Sequence, residues 1–102
     1  MLDLDLINGK TIEMKIDKNI IKVNQPSFAL AKKVRAYERD FVKMNEDEIY
    51  KNQSNILLEF LNNNLDKKVF KEDFIESLTF SAIKALYNEL IKAIVGAETN
   101  PN

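Results

Sequence analysis

The chain has 102 residues, of which 45% are hydrophobic and 30% are charged, and its formal net charge at pH 7 is −1. This length predicts a single domain, and this balance is typical of a globular protein. The absence of cysteine and histidine excludes disulfides, thiol or imidazole catalysis, and metal sites built on those side chains. The lack of a basic excess argues against a nucleic-acid-binding protein.

The first predicted element is a β-hairpin over residues 2–16. The apolar residues of its two strands alternate with polar ones and have even numbers: Leu2, Leu4, Leu6, Ile12, Met14 and Ile16. A three-residue loop, Ile7-Asn8-Gly9, would place all of them on one face, with Leu4 opposite Ile12. Helices are expected to cover this face, because an isolated hairpin is only marginally stable in water.

A polar link and a first long helix are predicted next. The link covers residues 17–25. Its apolar residues Ile20, Ile21 and Val23 would allow a short third strand there. The helix is predicted over residues 27–44, because Pro26 and Ser27 suit a first helical turn. Its narrow apolar stripe, at spacings of four and three, consists of Leu30, Val34, Tyr37, Phe41 and Met44.

Two further helices follow in the prediction. The second begins after Asn45, whose side chain is expected to cap it, with Glu48 at capping-box spacing. It ends at Asn62-Asn63-Asn64, since asparagine tolerates the left-handed conformation of a helix end. Its inner face consists of Ile49, Ile56, Leu57, Phe60 and Leu61. The third helix is short, residues 71–77, and its inward residues are Phe70, Phe74, Ile75 and Leu78.

The last predicted helix, residues 80–95, begins after Thr79, ends at Gly96 and is apolar around most of its circumference. A domain this small has few elements to cover such a helix, so part of the cover is expected from another chain. The residues expected to divide between the core and this partner-binding surface are Ile83, Tyr87, Leu90, Ile91 and Ile94. The expected protein is therefore of the α+β class, with a hairpin on three to four helices in one domain over residues 1–96 and a flexible polar tail over residues 97–102.

The charged clusters have simpler explanations than a catalytic or metal site. Asp3 and Asp5 lie on the outer face of the first predicted strand, and Glu46-Asp47-Glu48 lies in a first helical turn, where acids favour the helix dipole. The basic residues of the first long helix alternate with acids, as on a solvated face: Lys32, Lys33, Arg35 and Arg39. No nucleophile has an evident activating base, so we expect neither an enzyme nor a cofactor. We also expect no membrane segment, because no apolar run approaches about 20 residues.

Three segments carry a resemblance to a known family: "INGK" at residues 7–10, "ILLEFLNNN" at residues 56–64, and "FIESLTFSAIKALYNELIKAIVG" at residues 74–96. In this layout, over nearly its full length, the chain resembles the tail assembly chaperones of long-tailed bacteriophages. It is most similar in layout to the chaperones that are encoded just before the tape measure gene in phages of low-GC Gram-positive hosts.

The resemblance implies a non-enzymatic protein of the host cytoplasm that binds the tape measure protein and keeps it soluble. It implies self-association into rings or spirals, recruitment of tail tube protein through a longer frameshifted form, and absence from the mature virion. The family has no strict binding motif, so it assigns no site residue. Two alternatives stay open, a small phage-encoded DNA-binding regulator or antitoxin and a structural head–tail or neck protein. The regulator would use the helix over residues 27–44 as its recognition helix.

Overall fold

The computed structural model describes residues 1–99, which form an antiparallel two-stranded hairpin and five α-helices. The elements in chain order are α1 (Leu4–Asn8), β1 (Thr11–Ile16), β2 (Asn19–Asn24), α2 (Phe28–Asp40), a 3₁₀ turn (Phe41–Lys43), α3 (Glu46–Asn62), α4 (Glu72–Ser77) and α5 (Phe80–Thr99). The predicted α+β class, a hairpin near the N-terminus followed by helices, is confirmed. None of the helices in this part of the chain is long and apolar enough to cross a membrane.

The hairpin turns at two residues, Asp17 and Lys18, so that Ile16 lies opposite Asn19. Both turn residues have positive φ angles, 51° and 69°, as the central residues of a type I′ turn do. This turn gives the inner face of the hairpin to apolar residues of both strands. They are Ile12, Met14, Ile21 and Val23.

The predicted strand over residues 2–6 is wrong, because this segment contains the short helix α1. The Asp3 carboxylate accepts a hydrogen bond of 3.1 Å from the Leu6 amide and so caps the helix. Gly9 has a φ of −78°, which is not the left-handed conformation that the predicted loop over residues 7–9 requires. The second predicted strand and the optional third strand are both present, as β1 and β2. The hairpin therefore lies one element further along the chain than predicted.

The helix starts agree with the sequence. The Ser27 hydroxyl accepts a 3.0 Å hydrogen bond from the Leu30 amide at the start of α2. The predicted capping box opens α3, where the Glu48 amide donates to Asn45 Oδ1 over 2.8 Å and the Asn45 amide donates to Glu48 Oε1 over 3.4 Å. The end of the first long helix differs, since the α-helix stops at Asp40 and continues as the 3₁₀ turn.

The hairpin is fastened to α3 through β2. The Asn24 amide donates to the Asn63 carbonyl over 2.8 Å, and the Leu65 amide donates to the Lys22 carbonyl over 2.9 Å. One core cluster joins the hairpin to the helices, and its fully buried members with the largest side chains are Phe60, Leu57, Leu61, Leu90, Val23 and Val34. The chain segment after α3 thus covers one edge of the sheet while β2 supplies core residues to α3.

The last helix is longer than predicted. The Thr79 hydroxyl accepts a 3.1 Å hydrogen bond from the Ala82 amide, as expected for its cap. The helix does not end at Gly96 but runs to Thr99, so that boundary is wrong. A glycine in a helix costs only about 1 kcal/mol relative to alanine, and Ala97 and the residues after it can continue the helix. Of the predicted flexible tail, residues 100–102 lie outside the described residues.

Candidate partner-binding groove

The structure divides the predicted partner-binding residues of α5 between two environments. Leu90 and Ile94 are buried in the core, whereas Ile83, Tyr87 and Ile91 are half-buried and pack against it. The core members cannot meet a partner without opening the fold. A contact between a partner and the three half-buried residues stays a prediction.

An open apolar groove of about 380 Å³ runs along a different side of α5. The helix provides its floor, with residues at the one-face spacing of three, four and seven: Ala82, Ala85, Leu86 and Glu89. Its walls come from β1, from the end of α3 and from α4 with the residue that follows it, and consist of Met14, Ile16, Leu61, Phe74 and Leu78. We call this site the α5 groove.

Local sequence explains why the groove is open. Ala82 and Ala85 carry short side chains, so the helix surface between them is low. Met14 and Ile16 of β1 remain half-buried because it is β2, the other strand, that is fastened to α3. Apolar side chains that the chain itself leaves only half covered are suited to a partner's apolar residues.

Charged residues also contribute to the lining of the groove. Lys15, Asp17 and Glu89 line it together with the apolar residues. A groove of this kind can accept the apolar stripe of an amphipathic helix, or an extended strand with apolar residues at alternate positions. The arrangement is therefore suited to binding an apolar segment.

The α5 groove was not predicted, although part of its signal is in the sequence. The spacing of Ala82, Ala85, Leu86 and Glu89 is visible there, but the predicted partner-binding residues of α5 include none of them. The wall from β1 could not be inferred, because the predicted hairpin paired β1 with residues 2–6 rather than with β2.

A second, smaller cavity of about 170 Å³ lies between α3, α4 and α5. Its lining includes Ser54, whose hydroxyl is buried and has no hydrogen-bond partner among residues 1–99. The aromatic side chains of Tyr50 and Phe80 also line it and are exposed. It is less than half the size of the α5 groove and lies on the other side of Leu78, which lines both.

Tyr37, a member of the core cluster, packs against the half-buried Tyr87. The rings of Tyr37 and Tyr87 meet edge to face with their centroids 6.3 Å apart. Gln53 Nε2 donates to Tyr37 Oη over 3.3 Å, whereas Tyr87 Oη is buried with no partner in the part of the chain that the structure describes. Burial raises the pKa of both phenols, and the negative charge of Glu38 raises it further. Both are therefore neutral at ordinary pH.

The basic residues of α2 are engaged within the chain. Lys33 Nζ lies 2.6 Å from Glu59 Oε1, and Arg39 Nε lies 3.0 Å from Asp40 Oδ1. Arg35 lies 3.5 Å from Glu38, and Lys32 Nζ sits 5.1 Å from the centre of the Phe28 ring. These contacts are exposed and individually weak, but they spread the positive charge among acids and do not form a basic stripe. No cluster of acidic side chains in the described residues has the grouping of a metal site.

No protein-family model, curated protein or solved structure matches the chain.

Proposed function

We propose that the protein is a tail assembly chaperone of a long-tailed phage, which binds apolar helical segments of the tape measure protein and keeps them soluble. Among the structural observations, the α5 groove is the one that supports this proposal. The resemblance in sequence layout supports it independently of the groove.

The groove fits this kind of client by shape and chemistry. A long helical protein that is not yet assembled exposes apolar stripes, which associate with one another in water. The groove presents a mostly apolar surface about the length of two helical turns, from Ala82 to Glu89, and its lining also includes the charged residues Lys15 and Asp17. Such a surface covers one apolar stripe and leaves the polar side of the client in water.

The remaining parts of the proposal come from the resemblance alone. The protein would act in the host cytoplasm without catalysis or a cofactor, form homo-oligomers and leave before the virion is complete. A longer frameshifted form would recruit tail tube protein. Mass spectrometry of purified virions distinguishes this role from that of a structural head–tail or neck protein, which is retained in the particle.

A DNA-binding regulator or antitoxin is the less favoured function. Its recognition helix would be α2, where Lys33 and Arg39 contact Glu59 and Asp40. Non-specific attraction to phosphate needs cations that are not already surrounded by acids. A salt-dependent gel shift would support the regulator and contradict the chaperone.

Co-expression with the tape measure protein tests the proposal. The fraction of tape measure protein in the supernatant after centrifugation is measured with no chaperone, with the wild-type chain, and with Ala85→Glu or Asn88→Glu. Both positions are exposed on α5, but only Ala85 lines the groove. A several-fold gain in soluble tape measure protein is expected with wild type and Asn88→Glu, and little gain with Ala85→Glu. Equal solubility with and without the chain would overturn the proposal.

A further inference from the structure

The second cavity, of about 170 Å³ between α3, α4 and α5, has an acidic lining. Within residues 1–99 its only charged lining residue is Glu76 of α4, which is exposed and forms no ion pair in this part of the chain. The α5 groove differs, because Lys15 lies in its lining together with Asp17 and Glu89. The cavity therefore favours a cationic occupant, whereas the groove carries both signs of charge.

Ser54 of α3 places a hydroxyl without a partner at the wall of this cavity. The residue is 9% exposed, and its Oγ is buried with no hydrogen-bond partner among the described residues. Buried polar groups in native proteins normally have a partner, because leaving them unpaired costs free energy. A serine hydroxyl turns about one side-chain bond, so Ser54 can present its oxygen to a donor that enters the cavity.

Gln53 and Tyr50 add further hydrogen-bond acceptors to the lining. Gln53 Nε2 donates to Tyr37 Oη over 3.3 Å, which leaves the carbonyl oxygen of this amide as an acceptor. The Tyr50 hydroxyl can also accept. Together with the Ser54 hydroxyl and the Glu76 carboxylate, four lining side chains offer oxygen atoms. An occupant that satisfies them needs several donors as well as a positive charge.

Two aromatic side chains from different helices border the same cavity. Tyr50 of α3 and Phe80 at the start of α5 are 48% and 69% exposed there. The face of an aromatic ring attracts a cation that lies within about 6 Å of the ring centre. The rest of the lining is apolar and consists of Leu57, Ile75, Leu78 and Ile83. This combination suits a side chain with an apolar stem and a cationic end.

We propose that this cavity binds an arginine side chain of a partner protein. The guanidinium group has five N–H donors in a planar fork, which can bond both oxygens of the Glu76 carboxylate and also reach acceptors of Gln53 and Ser54. Its methylene stem packs against the apolar lining. Lysine fits these dispersed acceptors less well, because its three donors lie on one compact and strongly hydrated ammonium. The volume accommodates one ring-sized group, which matches a single side chain and not a helix.

The exposed rings indicate a protein as the source of the guanidinium group. A small molecule inside the cavity would leave much of Tyr50 and Phe80 in water, whereas a protein that inserts an arginine covers them with its own surface. Tyrosine and arginine are also enriched among the residues that contribute most to protein–protein binding. The cavity is separated from the α5 groove by Leu78, and its occupant does not depend on the chaperone function.

NMR titration of the ¹⁵N-labelled chain with acetyl-glycyl-arginyl-glycine amide tests the site. Saturable shifts are expected at the amides of Gln53, Ser54 and Glu76. The citrulline peptide, which has nearly the same shape without the charge, should bind about tenfold more weakly. The lysine peptide should bind several-fold more weakly. So should butylguanidine, which carries the guanidinium and its stem but has no peptide to cover the two rings.

A matched pair of variants tests the carboxylate. Glu76→Gln keeps the shape of the side chain and removes its charge, so the arginine peptide should bind about tenfold more weakly. Glu72→Gln makes the same change at an exposed position of α4 that does not line the cavity, and it should bind as the wild type does.

Ser54→Ala separates binding from folding. It removes the unpaired buried hydroxyl, so the midpoint of urea denaturation should rise, while the affinity for the arginine peptide should fall several-fold. An unchanged affinity would contradict the part of Ser54 in the site. The proposal is overturned if the arginine peptide gives no saturable shifts, or if Glu76→Gln binds it as the wild type does. Equal affinity for the citrulline or lysine peptide would also overturn it, and equal affinity for butylguanidine would overturn a protein source.

Discussion

Met14 of β1 lies directly opposite Ile21 of β2, and this pairing decides which side of the hairpin meets the helices. Across the two strands, even-numbered residues of β1 face odd-numbered residues of β2, so Met14 shares its face with Ile21 and Val23. Both β2 residues are buried. Such a register needs a two-residue turn, and the chain makes it at Asp17 and Lys18.

Lys18 has a positive φ of 69°, and a prediction about stability follows from it. A residue with a Cβ pays about 1 kcal/mol for the left-handed conformation, whereas glycine adopts it freely. Lys18→Gly is therefore expected to raise the free energy of unfolding by about 0.5 kcal/mol, after the larger entropy of the unfolded glycine is subtracted. Urea denaturation measures the change. Lys15→Gly, the same replacement inside β1, should lower it, and a loss at both positions would contradict this turn.

The position of the hairpin could not be predicted from local sequence. Asn8-Gly9 is by residue type the stronger turn signal, and the apolar pattern of β1 fits residues 2–6 as well as residues 19–24. Local pattern cannot choose between two equally matched partners. The choice is made by contacts distant in sequence, such as the hydrogen bond from Leu65 to Lys22, which fasten β2 and not residues 2–6 to the core.

Helix starts could be predicted because their determinants are adjacent in the chain, and α3 offers a test. Replacing Asn45 with alanine removes the oxygen that accepts from the Glu48 amide over 2.8 Å. The expected loss is about 1 kcal/mol in the free energy of unfolding. Asn55→Ala, the same replacement at an exposed position within α3, is expected to be neutral or slightly stabilising. Equal effects at the two positions would show that the cap contributes nothing.

The loss of stability at alkaline pH should depend on the Tyr37–Tyr87 pair. Burial holds the pKa of Tyr37 and Tyr87 above the ordinary value of 10.0. Above pH 10 the unfolded chain loses these phenolic protons first, so the stabilisation is complete below pH 10 and is lost as the pH rises through the folded-state values. Tyr87→Phe is expected to flatten this loss, measured as the urea midpoint against pH. An unchanged slope would contradict burial of the phenol.

The apolar circumference of α5 could be predicted from composition, but not which sides the chain itself covers, because that depends on packing against α3. Replacing the buried Leu90 tests whether its side of α5 is covered by the chain itself or by a partner. Leu90→Ala is expected to cost about 3 kcal/mol in the free energy of unfolding, through lost burial and the cavity left behind. The exposed Leu65→Ala should change it by less than about 0.5 kcal/mol. A small effect at Leu90 would mean that this side of α5 faces a partner instead.

Site-specific photo-crosslinking tests whether the α5 groove binds the tape measure protein. A photoreactive phenylalanine derivative is placed at Ala85, which lines the groove, or at Lys84, which is exposed on the same helix but does not line it. Cells that also express the tape measure protein are then irradiated. A crosslink to the tape measure protein is expected from position 85, and little from position 84. Equal crosslinking from both positions, or none from position 85, would contradict binding in the groove.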